Sequence, residues 1–241
     1  MTRYAMVIDF QRCSGCGACI ITCRNENNLT EGIYWSSKIN KTVGTFPDVK
    51  YEYIPTLCNH CEKAPCVKGC PTGAMHKLDN NITMHDPDIC IGCRYCMARC
   101  PYGIISFNWE KPHKFWKDDE EIINDGTSSA SEVVEKSGGT VIPYYNPDRD
   151  ETLPGIRPKG VVEKCTFCDH RVNKGELPYC VTSCPANARI FGDLDDPNSK
   201  VSELIGKFQT TRLREELGTE PAVYYIRSFK SASYVTSKGG L

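Results

Sequence analysis

The stretch CIGCRYCMARCP, running from Cys90 to Pro101, decides how this chain folds. Its first three cysteines, Cys90, Cys93 and Cys96, follow a C-x2-C-x2-C spacing, tight enough for one loop to wrap a single metal group and aim backbone amides at it. Cys96 and Cys100 stand four apart, which puts both on one face of a helical turn. Pro101 disfavours helical geometry at Cys100, so the turn ends there and that side chain leaves in another direction. The run therefore faces two metal sites, giving three ligands to one and a single ligand to its neighbour.

Working outward, all sixteen cysteines of the 241-residue chain fall into such quartets, with none left over. They are Cys13, Cys16, Cys19, Cys23; Cys58, Cys61, Cys66, Cys70; Cys90, Cys93, Cys96, Cys100; and Cys165, Cys168, Cys180, Cys184. The first and third share one spacing and carry an aspartate four residues ahead, Asp9 and Asp86; the second and fourth widen the middle gap. This alternation reads as an internal duplication. In every quartet the last two cysteines are four apart, and Pro71, Pro101 and Pro185 follow three of them at once.

The C-x2-C-x2-C-x3-C-P run is the ligand pattern of bacterial ferredoxins, in which the fourth cysteine binds the other cluster of a pair. Structural zinc sites instead take two ligands from each of two knuckles. Only 19 residues separate Cys70 from Cys90, about one hairpin with its flanks, so the second and third quartets pair and leave the first to the fourth. Cross-ligation then predicts four 4Fe-4S sites. Site one is Cys13, Cys16, Cys19 and Cys184; site two is Cys23, Cys165, Cys168 and Cys180. Site three is Cys58, Cys61, Cys66 and Cys100; site four is Cys70, Cys90, Cys93 and Cys96.

The expected fold is α+β: two bacterial-ferredoxin-like two-cluster modules with short strands, hairpins and helical turns, plus a long loop insertion. Residues 1–57 and 160–241 form the module of quartets one and four, and 58–108 that of quartets two and three. Residues 109–159, charged and rich in Ser, Gly and Pro, are read as a loop insertion used for docking. Strands are expected at Tyr4 to Asp9 and along Val49, Tyr51 and Tyr53. A hairpin with an Asn-rich turn spans Leu78 to Met84, and a similar stretch runs from Arg189 to Leu194. The tail from Ala222 through Phe229 is left open between a strand and a packing arm.

Hydrophobic residues make up 40% of the chain, but without the cysteines the apolar share falls to about a third, so metal must complete the interior. A net charge of -1 gives no basic field for nucleic acid. No apolar run is long enough to span a membrane, and no export signal opens the chain. Arg24, Arg94, Arg99, Lys164, Arg171 and Arg189 lie near cysteines, where a positive charge raises a cluster's potential. His60 and His170 are read as structural, since the thiols already complete every site. With no nucleophile-base set, P-loop or dinucleotide fingerprint, no catalytic residue is expected.

The segments TLCNHCEKAPCVKGCPTGAMHK, CIGCRYCMARCPYGIISF, EKCTFCDHR and CPANARIFGDLDDPNSKVS resemble the four-cluster electron-transfer subunits of dimethyl sulfoxide reductase superfamily molybdopterin enzymes. MVIDFQRCSGCGAC, GTFPDVKYEYIPTLCNHC and YYIRSF are most similar to the small subunits of respiratory arsenate reductases. The resemblance implies an electron relay between a quinol- or cytochrome-side donor and a molybdopterin catalytic subunit, with molybdopterin on that partner only. It implies that site one lies nearest the molybdenum, and that sites three and four face a quinol-oxidising membrane subunit or a cytochrome. In nitrate reductase relatives a tryptophan replaces a cysteine of the third quartet and leaves a 3Fe-4S cluster; here that position is Cys93, which implies four 4Fe-4S clusters. Periplasmic location would follow from co-export with the catalytic subunit, a cytoplasmic one being the alternative. Polysulfide, thiosulfate and tetrathionate reductases and an arsenite oxidase are the competing contexts. A free-standing polyferredoxin and a zinc-stabilised binding scaffold are the rival classes, separable by partner and by metal content.

Overall fold

A computed structural model describes residues 2–113, 127–140 and 145–227. Among the described residues ten strands follow one another: β1 (Tyr4–Asp9), β2 (Ser36–Thr45), β3 (Asp48–Leu57), β4 (Met75–Lys77), β5 (Thr83–His85), β6 (Ser106–Phe107), β7 (Val162–Glu163), β8 (Arg189–Asp193), β9 (Thr210–Thr211) and β10 (Val223–Ile226). The arrangement is a mix of short helices and strands built around ferredoxin-like units, as the quartets predict.

β1 is apolar on both sides of its pleat, and Ala5, Met6, Val7 and Ile8 are all fully buried. A strand covered on both faces belongs at the centre of a sheet, and the sheet order is β8-β1-β10-β9. β8 runs antiparallel to β1, with Met6 opposite Phe191 and Ile8 opposite Arg189. β10 runs parallel to it, from Met6 opposite Val223 to Asp9 opposite Ile226. The tail is thus a strand up to Ile226; Phe229 lies outside the described residues. One sheet face packs on the helix Lys200–Lys207 through Ala5, Val7, Val201 and Ile226. The other face meets the main core of Met6, Ile8, Phe10, Trp35 and Tyr225. This sheet ties the N-terminal quartet to the fourth across almost the whole sequence.

β4 and β5 form the expected hairpin, with Met75 opposite His85, and Asn81 takes a positive φ in its turn. The stretch after the fourth quartet is no hairpin; it becomes β8 because the N-terminal strand supplies its partner. Val49, Tyr51 and Tyr53 do lie on a strand, β3, paired along its length with β2 from Ser36 opposite Leu57 to Thr45 opposite Asp48. The alternation points outward, however. Val49 and Tyr51 are exposed and Phe46 at the tip is 88% exposed, whereas Glu52 and Ile54 face inward.

Residues 109–159, expected as a loop insertion, hold a helix in their described part and are anchored at both ends. β6 pairs with β7, and Asn108 and Gly160 continue the ladder, so the segment leaves and returns at one place. Ser129 and Glu132 form a capping box that starts the helix Ala130–Ser137, which is the structural use of the Ser-rich stretch. Residues 114–126 and 141–144 of this insertion lie outside the described residues. Further on, Asn146 exchanges hydrogen bonds with Asn28 at 2.8 and 2.9 Å, and buried Arg149 donates to Asp169 at 3.0 Å. Residues from Asn146 to Arg157 therefore build the chain's own interior as well as any docking surface. Arg149→Ala strands Asp169 in that interior and should cost about 3–5 kcal/mol in chemical denaturation, a loss typical of a broken buried ion pair.

Candidate metal centres

Three of the quartets are built the same way: a loop, then a short helical turn that carries the third cysteine. Cys66 lies on the helix Pro65–Lys68, Cys96 on Tyr95–Arg99 and Cys180 on Tyr179–Thr182. All three turns stop just before the fourth cysteine and its proline; Cys100 is itself the extended cap that ends the Tyr95–Arg99 turn. The first quartet, which has no such proline, keeps both Cys19 and Cys23 inside a longer helix, Ala18–Glu26. Left-handed residues bend the ligand loops, among them Gly15, Gly17, Gly92, Arg94 and Cys168.

The thiols converge across quartets. One cavity is lined by Cys13, Cys16, Cys19 and Cys184, a second by Cys58, Cys61, Cys66 and Cys100, and a third by Cys70, Cys90, Cys93 and Cys96. The remaining four, Cys23, Cys165, Cys168 and Cys180, are all buried. Burial raises the Cys23 thiol well above its ordinary range, and the charges of Cys165, Cys168 and Cys180 add to the effect. The sites also adjoin one another. Cys23, Cys58, Cys165 and Cys180 share one buried cluster against which Cys19 packs, so site two lies beside sites one and three. Cys61, Cys66 and Cys96 share one apolar cluster that joins site three to site four.

Burial pushes the Cys61 and Cys96 thiols up to about 11 and the Cys66 thiol up to about 12. Four crowded, desolvated thiols hold their protons unless a metal group takes their place. Backbone amides already point at sulfur: Met75 N–H donates to Cys70 Sγ at 3.4 Å, Phe167 to Cys165 at 3.4 Å and Ala188 to Cys184 at 3.3 Å. Among the described residues no three His, Cys, Asp or Glu side chains are gathered tightly enough for a single ion. Cavities walled by four spaced thiols, with amides aimed at sulfur, fit a polynuclear iron-sulfur group.

Gly92 shows how closely a ligand loop is packed. Its φ is +67°, and a Cβ there would run into the Gly160 carbonyl oxygen. Gly92→Ala should therefore cost more than the about 1–2 kcal/mol of a left-handed side chain alone. The expected outcome is selective loss of the site on Cys70, Cys90, Cys93 and Cys96, read as iron per chain and as loss of one spectral component.

The basic residues divide by burial. Lys164 and Arg189 are buried, whereas Arg24, Arg94, Arg99 and Arg171 lie over the rings of Tyr34, Trp109, Tyr95 and Tyr179. His60 accepts from the Thr83 amide and stacks on Phe167 at 3.7 Å; His170 bridges Arg149 and Glu26. Sequence reasoning missed Asn27, whose amide donates to the Cys23 carbonyl at 3.0 Å and lies 3.7 Å from the Cys23 sulfur. Its i+4 spacing from Cys23 on one helix face was the available signal. It also missed Lys38 and Tyr53, which close over the first site's loop, because their hairpin reaches it through space.

Comparison with known proteins shows the family. A 4Fe-4S dicluster domain family matches residues 49–117 and 117–194, and another of the same description matches residues 6–74. The chain is 57% identical over 227 residues to the arsenate respiratory reductase iron-sulfur subunit ArrB of Shewanella sp. (strain ANA-3), covering 94% of this chain and 97% of that one. It is 43% identical to a putative iron-sulfur subunit of dimethyl sulfoxide reductase from Halobacterium salinarum, over 94% of this chain and 79% of the relative. It is 39% identical to a selenate reductase subunit from Mesobacillus selenatarsenatis, over 93% and 72%. With sixteen cysteines, two matching dicluster families and these relatives, the chain belongs to the 4Fe-4S dicluster family of iron-sulfur electron-transfer subunits and carries four 4Fe-4S clusters.

Proposed function

We propose that this chain relays electrons between a quinol- or cytochrome-side donor and a molybdopterin catalytic subunit that reduces arsenate to arsenite. The observation that carries the reading is 57% identity spread over 97% of the Shewanella arsenate respiratory reductase iron-sulfur subunit. Bound clusters supply one-electron carriers whose potentials respond to charge, hydrogen bonding and exposure. The chain's own residues hold them, in the four sets Cys13, Cys16, Cys19, Cys184; Cys23, Cys165, Cys168, Cys180; Cys58, Cys61, Cys66, Cys100; and Cys70, Cys90, Cys93, Cys96.

These sets adjoin in the order one, two, three, four, which gives the relay two ends. At one end Cys16 is exposed, near exposed Ile21 on the following helix. At the other end Cys93 is exposed, flanked by exposed Ile91 and Tyr95. The first end is assigned to the catalytic subunit and the second to the donor, a quinol-oxidising membrane subunit or a cytochrome. No helix among the described residues is long and apolar enough to cross a membrane. Export with the catalytic subunit would place the complex in the periplasm.

The test is anaerobic purification of the chain with whatever binds it, followed by metal and sulfide analysis and assays with arsenate, polysulfide, thiosulfate and tetrathionate. The reading requires about sixteen iron and sixteen acid-labile sulfides per chain, a molybdopterin partner at fixed stoichiometry, and arsenate turnover. A chain that holds its iron but copurifies with no molybdopterin protein overturns the subunit assignment.

A further inference from the structure

Four lysine or arginine side chains are buried among the described residues: Arg149, Arg157, Lys164 and Arg189. Two of them have carboxylate partners. Arg149 meets Asp169 at 3.0 Å and Arg157 meets Glu163 at 3.1 Å. The other two have no carboxylate within ion-pair distance among the described residues. Arg189 donates to the Ser36 hydroxyl at 3.0 Å and lies beside Cys180. Lys164, 1% exposed, spends its ammonium on the carbonyl oxygens of Thr83 and Cys165.

An ammonium without a counter-charge is costly to bury, and two carbonyl dipoles repay only part of its lost hydration. His60, His85 and the Lys77 ammonium also lie within range of its charge, and none of them is an anion; the thiolates of the neighbouring sets are the groups near it that can supply negative charge. Thr83, which accepts from Lys164, lines the cavity of Cys58, Cys61, Cys66 and Cys100, and the Lys164 charge acts on Cys66. Cys165, its other acceptor, belongs to the neighbouring set with Cys23, Cys168 and Cys180. The ammonium thus joins the backbone of one two-site module to that of the other, where Cys58 and Cys165 feel each other's charge. A cluster ligated by four thiolates is anionic and becomes more so on reduction, so a buried cation beside it favours the reduced state.

We infer that Lys164 is an electrostatic determinant of the junction between the modules, raising the reduction potentials of the clusters in sites two and three together. It acts in addition to Arg189 beside Cys180 and Lys77 at the Cys61 carbonyl. This rests on the proposed ligand sets. It makes the middle of the relay more readily reduced than a neutral residue at position 164 would. Lys164 is a positioning and tuning residue; it touches neither substrate nor donor.

The test is a potentiometric titration followed by electron paramagnetic resonance, on the full chain purified anaerobically with its clusters. It compares the natural protein with Lys164→Met and Lys164→Arg. In Lys164→Met two of the four couples should fall, with the reduced-to-oxidised ratio at a fixed poise dropping at least tenfold, which is 59 mV for a one-electron couple. The other two couples should stay in place, and Lys164→Arg should restore all four. If Lys164→Met loses iron, Lys164→Gln, neutral but still able to donate to both carbonyls, serves in its place. Unmoved couples in an iron-replete neutral variant would overturn the inference, as would equal shifts in the neutral variant and Lys164→Arg, which mark a purely structural tie. Fewer than four clusters in the natural chain would instead sink the ligand sets on which the inference stands.

Discussion

Stripping the iron anaerobically with a chelator should unfold most of the chain. The helical turns that carry Cys66, Cys96 and Cys180 are four or five residues long, far below the length at which a helix stands alone. Strands β4 to β7 have two or three residues each, too few to persist as isolated hairpins. Half of the sixteen thiols are buried, and they occupy positions that an ordinary domain would give to leucine or valine. Emptying the four sites leaves cavities in the middle of this core, each costing about 24 cal/mol per Å³ of residual volume. Metal binding here is therefore folding free energy. Circular dichroism should fall as iron leaves, and iron with sulfide under reducing conditions should restore it. Residual order is expected in the sheet of β1, β8 and β10 with the helix Lys200–Lys207, whose core of Ala5, Val7, Val201, Ala222 and Ile226 contains no cysteine. A near-native spectrum with the iron gone would mean that the polypeptide core is sufficient alone.

Cys184→Ser should damage the site at the opposite end of the sequence. Cys184 follows Cys168 and Cys180, yet its cavity is lined by Cys13, Cys16 and Cys19. The turn Tyr179–Thr182 stops before it, Pro185 prevents its continuation, and the Ala188 amide at 3.3 Å holds the sulfur on that side. The variant should lose or convert the cluster of site one while the cluster held by Cys23, Cys165, Cys168 and Cys180 keeps its spectrum. Cys100→Ser should act in the same crossed sense, on the site of Cys58, Cys61 and Cys66. Loss confined to the Cys165, Cys168 and Cys180 signal would refute the crossed ligand sets.

Much of this architecture is legible in the chain because cluster ligation is local. Three of four ligands in each site lie within a short run, and the proline after the fourth cysteine says where the turn must end. The hairpin around Asn81 and the strand at Tyr4 to Asp9 were likewise readable from turn chemistry and a continuous apolar run. The reading failed where the partner is distant. The stretch from Arg189 looked like the hairpin at Leu78 but is a strand beside β1, and residues 146–157, read as part of a loop insertion used for docking, pack beside Glu26 and Asn28.

The sequence by itself determined how many clusters there are and of what kind, since cysteine spacing, proline position and count are properties of short segments. Tertiary structure decided the rest. It brought β8 and β10 to the N-terminal strand, so that the first and fourth quartets lie together as their spacing predicts, and it set the order in which the sites adjoin. It also sorted six basic residues near cysteines into four that lie over aromatic rings and two, Lys164 and Arg189, shut in beside sulfur. The reason is one of range: ligand geometry depends on neighbours along the chain, whereas burial depends on what the whole fold leaves on the other side.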